Sequence, residues 1–144
     1  MSAKHFFNPE QQERIIGAIR EAEKNTSGEI RLHIEDKCKQ DAVHRATELF
    51  KKLKMHNTEL RNGVLFYLAV KSNHFALVGD KGIHEKVTDA FWETIRDKTI
   101  ANFKKGNFTE GLCEAILECG QQLKTHFPHQ NDDKNELSDD ISYK

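Results

Sequence analysis

Val64-Leu65-Phe66-Tyr67-Leu68-Ala69-Val70 is an apolar run without alternation, bracketed by Asn62-Gly63 before it and by Lys71-Ser72-Asn73-His74 after it. Apolar residues at odd and even positions alike describe a strand covered on both faces, so this run predicts the centre of a sheet with helices above and below. The polar tetrapeptide turns the chain into Phe75-Ala76-Leu77-Val78, a short antiparallel partner that closes on Gly79-Asp80-Lys81-Gly82. Upstream, Ile30, Leu32 and Ile34 alternate with Glu29, Arg31, His33 and Glu35, the pattern of a strand buried on one face and placed at an edge. Between these strands, Asp41 caps a helix in which Val43, Ala46, Phe50 and Leu53 repeat at helical spacing, the crossover that makes the first two strands parallel.

Helices fill the rest. Asn8-Pro9-Glu10-Gln11 combines an N-cap, a proline at the first helical position and a capping-box glutamine, followed by a stripe of Ile15, Ile19 and Ala22. Val87, Phe91, Ile95 and Phe103 predict one long helix after Gly82, broken at Lys105-Gly106-Asn107 before a last helix carrying Leu112, Ile116, Cys119 and Leu123. The expected fold is α/β: a three-layer α/β/α sandwich around a small mixed sheet, spanning residues 1-127. Residues 128-144 form a polar, acid-rich tail, in which 129 to 135 are expected to be mobile and Asn135 to Ile141 to stay solvated or dock weakly through a helical Leu137/Ile141 face.

The chain has 144 residues with 22 Lys plus Arg against 23 Asp plus Glu, so no global field favours nucleic acid or an anionic membrane. No segment approaches the length of a membrane span, and the N-terminal stretch carries no signal-peptide core, which predicts no membrane insertion and a cytoplasmic location. Cys38, Cys113 and Cys119 lack metal-ligand spacing and cannot all pair, in keeping with reduced thiols; Cys38, in a loop, is the expected oxidation-prone one. A monomer is expected. His33 reads as surface, Trp92 as core or cleft wall, and Arg45 with Lys51, Lys52 and Lys54 as a basic helix face.

Topology supplies the candidate site. A strand returning antiparallel ends where its partner began, which puts Asp80 beside Asn62; the parallel crossover adds Glu29. Two carboxylates, an amide and glycine backbone thus share one edge, with Ser27 and Thr58 nearby. The alternative for Asp80 is a cap on the turn that follows, and for Glu29 a solvated edge position.

Four segments taken together resemble the TPM domain family: the Ser-Gly-Glu-Ile strand opening at Ser27, Arg61-Asn62-Gly63-Val64-Leu65, Val78-Gly79-Asp80-Lys81-Gly82, and Phe103 through Leu112. The resemblance runs from about Ile15 to Phe127 and implies an α/β/α fold with an acidic divalent-cation site. It implies for some members an acid phosphatase activity and for others a protein partner in a membrane complex. By position the acidic motif residues are Glu29, Asp80 and Asp89, the last expected one or two turns into the following helix and reaching back. Oxygen-only groups without soft sulfur suit Ca²⁺ or Mg²⁺, bound weakly at about 10⁻⁴ to 10⁻³ M. The functional expectation is a cation-binding interaction module; the alternative is a cation-dependent phosphomonoesterase, in which bound metal would activate water because no nucleophile motif is present.

Overall fold

The computed structural model describes residues 2–128 and 139–143. A single turn, α1 (Ala3–Phe6), precedes α2 (Pro9–Glu23), whose start is a complete capping box. Asn8 Oδ1 accepts from the Gln11 N–H at 2.8 Å, and Gln11 Oε1 accepts from the Asn8 N–H at 2.9 Å. Then follow β1 (Glu29–Glu35), α3 (Ala42–Lys52), β2 (Gly63–Ala69), β3 (His74–Gly79), the turn α4 (Lys81–His84), α5 (Asp89–Lys104), α6 (Phe108–His126) and β4 (Ser142–Tyr143).

The sheet order is β3-β2-β1-β4. β1 runs parallel to β2 and to β4, and β3 is antiparallel to β2, so the sheet is mixed as expected. β2 is buried along its whole length. Its Val64, Phe66 and Leu68 join Ile30, Leu32 and Ile34 in a core under α2, α5 and α6, while Leu65, Tyr67 and Ala69 meet Leu49, Phe50 and Met55 on the α3 side. These two cores give the three layers.

β1 corrects the edge-strand expectation. Glu29, His33 and Glu35 are buried along with the apolar set, and β4 pairs outside them, His33 opposite Ser142 and Ile34 opposite Tyr143. Alternation misled because the polar side of β1 is buried as a hydrogen-bonded network, which sequence pattern cannot distinguish from a wet face. The outer edge is satisfied twice: Glu23 Oε2 accepts from the Ile30 N–H at 2.9 Å, and β4 covers the strand further on. Ile141 packs into the larger core and β4 follows it, so the described end of the tail docks, while Leu137, its expected helical companion, lies outside the described residues. Residues 129 to 138 lie outside the described residues, so the expected mobility of 129 to 135 falls there.

Three smaller expectations also change. The helix expected from Val87 starts at Asp89 with Thr88 as its cap, so Asp89 opens α5 instead of lying a turn or two inside it. Cys38 is buried, its Sγ donating to the Gln40 carbonyl at 3.0 Å, which removes it as an exposed thiol. Arg45 turns inward from the expected basic face of α3 to Glu35. Cys113 and Cys119 pack in α6 as small hydrophobes, and burial pushes the Cys119 thiol up to about 12.

Candidate functional site

The backbone brings three of the expected residues to one edge. Glu29 lies opposite Gly63 and donates its N–H to the Asn62 carbonyl at 3.3 Å; the Asp80 N–H reaches the Gly63 carbonyl at 3.0 Å. Glu29, Asn62 and Asp80 are 3%, 1% and 6% exposed. The solvated reading of Glu29 therefore fails, and the capping reading of Asp80 holds: its Oδ1 accepts from the Lys81 N–H at 2.7 Å at the start of α4.

Their side chains have different partners. Arg61 grips Asp80 with a fork, Nε to Oδ2 at 2.8 Å and Nη2 to Oδ1 at 3.0 Å. Arg61 holds a left-handed φ of 51°, and the backbone there is pressed against Gly82, where a Cβ would come within 2.2 Å of the Leu60 carbonyl oxygen. Gly82 N donates to Arg61 O at 2.9 Å. The Gly-Asp-Lys-Gly turn thus sets Asp80 and Arg61 together. Gly79 has its own reason: the Trp92 ring would sit 2.3 Å from a Cβ there, which makes Trp92 a wall of this edge.

Glu29 turns to a second carboxyl. Its side chain hydrogen-bonds Glu23, at the end of α2, and Glu23 also bonds Asp139. Burial first, and then the bonds to Asp139 and Glu29, push the Glu23 carboxyl far above its ordinary range, against the Ile30 N–H that favours the charged form. Arg20 Nε lies 3.7 Å from Asp139.

Asn62 joins the two halves. Its N–H donates to Thr58 Oγ1 at 3.2 Å and its Nδ2 to Ser27 Oγ at 3.3 Å, while its Oδ1 is buried with no hydrogen-bond partner among the described residues. An unpaired amide oxygen in this position is a hard, neutral donor. Asp89 is exposed in the first turn of α5. Among the described residues, no group of three or more His, Cys, Asp and Glu side chains is close enough to hold a metal ion, so Glu29, Asp80 and Asp89 do not form a ready three-carboxylate cage. Oxygen donors of this kind fit Ca²⁺ or Mg²⁺, but three of the acceptor positions of Asp80 are already occupied by Arg61 and Lys81.

Sequence reasoning missed Glu23, Arg61 and Asp139. Arg61 stands beside the Asn-Gly signature, and only its partnership with Asp80 was hidden. Glu23 reads as an ordinary helix-end residue, and Asp139 as one acid of a polar tail.

The TPM domain family model matches residues 1–122. The chain is similar to the BA42 protein from the psychrophilic bacterium Bizionia argentinensis, at 47% identity over 96% of each chain with a TM-score of 0.91. The N-terminal domain of a P. gingivalis protein is similar at 22% identity, covering 87% of this chain and 82% of that one, TM-score 0.70. That of the cg2496 protein from Corynebacterium glutamicum has 10% identity, 82% and 74% coverage, and TM-score 0.66, and these two likenesses speak to the fold alone. No curated protein matches the chain. Among the described residues no helix is long and apolar enough to cross a membrane.

Proposed function

The chain belongs to the TPM domain family, and we propose that it acts there as a divalent-cation-binding interaction module whose site is the sheet edge at Glu29, Asn62 and Asp80. The observation that supports this most is the buried Asn62 Oδ1 without a hydrogen-bond partner among the described residues. A cation would supply the charge that this oxygen lacks as a partner. Glu29 and Asp80 would contribute carboxylates, Asp80 by yielding part of the Arg61 fork, and Asp89 would approach from the start of α5. Ca²⁺ and Mg²⁺ both suit this all-oxygen set, with the weak binding of a partly preorganised site.

A second reading has its own support. The Arg61 side chain is 39% exposed, so its planar fork can exchange Asp80 for a phosphate oxygen pair, with the Ser27 hydroxyl near the same edge. Cation-dependent phosphomonoester hydrolysis is the reaction this would serve, bound metal supplying an activated water.

Titrating Ca²⁺ and Mg²⁺ against the full chain while following backbone amides by NMR tests the site. Gly28, Asn62, Asp80 and Asp89 should shift together. Perturbation confined to the acidic residues after Pro128 would reject the assignment. Turnover of an aryl phosphate, abolished in parallel by chelation and by Asp80→Asn, would raise the second reading above the first.

A further inference from the structure

At the opposite end of the sheet, the β2-β3 turn and the break between α5 and α6 enclose a cavity of about 300 Å³. Leu68 from β2, Val70 just after it, Phe75 from β3, Ile100 and Phe103 from α5 and Phe108 from α6 form its walls. Phe103 stands edge-on to Phe75 with ring centroids 5.4 Å apart and stacks on Phe108 at 5.0 Å. Of these six side chains only Leu68 is fully buried; the rest keep part of their apolar surface open. Ala69, Asn73, His74 and Lys104 complete the lining, and no carboxylate among the described residues lines the cavity. Neither Lys104 nor His74 has an ion-pair partner among the described residues.

We propose that this cavity is a binding site for a monomeric medium-chain carboxylate, its alkyl chain against Phe75, Phe103 and Phe108 and its head group at Lys104 and His74. The volume lies at the small end of the range for ligand pockets, and the lining has the usual composition of such pockets, mostly apolar and aromatic with a few polar groups to fix orientation. At about 30 Å³ per water-sized group, it accommodates a chain of roughly eight to ten methylene-sized units. Charge selects the head: a lysine ammonium and an imidazole without a lining acid complement an anion and disfavour an amine. Lys104 also sits in the last turn of α5, where a cation opposes the helix dipole in any case. What a dipole role alone does not require is the apolar cavity beneath it. The site is independent of the cation reading, since His74 opens β3 and Asp80 follows its far end.

The test uses octanoate, octanol and octylammonium, titrated separately into the full chain while methyl resonances are followed by NMR. Octanoate should shift the Leu68, Val70 and Ile100 methyls saturably, and octanol should bind about fivefold more weakly for want of the head-group pair. Lys104→Glu should weaken octanoate by about tenfold and leave octanol unchanged. Ile100→Trp, which fills the cavity, should abolish both while the remaining amide spectrum stays native. Non-saturating shifts in the wild-type chain, equal binding of octylammonium and octanoate, or binding that survives Ile100→Trp would each overturn the proposal. The three-ligand comparison needs no variant, so it stands even if a substitution unfolds the protein.

Discussion

Glu29 and Glu35 open and close the same strand, and both are buried, yet their surroundings differ. Glu35 accepts the Arg45 fork at 2.9 Å on each oxygen and a further bond from the Tyr67 hydroxyl. Burial alone would raise its pKa; the Arg45 fork and Tyr67 outweigh it and hold the carboxyl below its ordinary range. Burial and the same hydrogen bond push the Tyr67 hydroxyl up, so it stays a donor. His33 completes the group, stacked against Tyr67 at 6.2 Å, its Nδ1 2.8 Å from Ser142 Oγ. At the Glu29 end, a second carboxyl takes the place of a guanidinium, and Asn62 Oδ1 beside it has no hydrogen-bond partner among the described residues. The two ends of one strand can thus do different work: compensated charge at Glu35 makes structure, and the Asn62 oxygen without a partner among the described residues leaves capacity for a ligand at the other end.

If Glu35 is structural, breaking its pair must be costly. Arg45→Met should destabilise the fold by about 3 kcal/mol in denaturant melts, because it leaves Glu35 buried with its main charge partner gone. A loss within experimental error of a surface substitution would remove the contrast between the two ends. Gly82→Ala comes next. Its Cβ would collide with the Leu60 carbonyl, costing about 2 kcal/mol and displacing the Arg61 fork from Asp80. The Asp80 carboxyl carbon, followed by NMR, should change its environment in this variant; an unchanged signal would show that the turn does not position Arg61.

The smallest effect concerns His33. Burial lowers its pKa, followed by the opposing pull of Glu35 and the repulsion of Arg45 and Arg31. The unfolded chain, with an ordinary value near 6.5, therefore takes up this proton first. The stability present above that pH is lost as pH falls toward the lower folded value. His33→Gln should flatten the stability profile below about pH 6.5, the unfolded value, down to the start of carboxylate titration. An unchanged slope would place the proton uptake elsewhere.

The divide between what could be read and what could not follows the same line. An unbroken apolar run made β2 legible, the polar turn after it its hairpin partner and a capping box the start of α2, and connectivity alone put Glu29, Asn62 and Asp80 at one edge. Glu29, Arg31, His33 and Glu35 alternate with apolar residues as a wet face does, but the Arg45 fork, Tyr67 and Ser142 that make burial tolerable come from 10 to 109 residues away. β4 escaped because two residues carry no period. The Arg61 partnership with Asp80 escaped because it rests on a left-handed backbone position and a close approach at Gly82 rather than on residue type.

The central claim is that divalent cations bind at the Glu29 end of β1. Unfolding free energy measured with and without Ca²⁺ tests it most directly, on the wild-type chain, Glu29→Gln and Glu35→Gln. At a free concentration about ten times the dissociation constant, Ca²⁺ should stabilise the wild type by about 1.4 kcal/mol. Glu35→Gln should start less stable and keep that increment, while Glu29→Gln should lose it. An increment that survives Glu29→Gln, or one that disappears only with Glu35→Gln, would contradict the account.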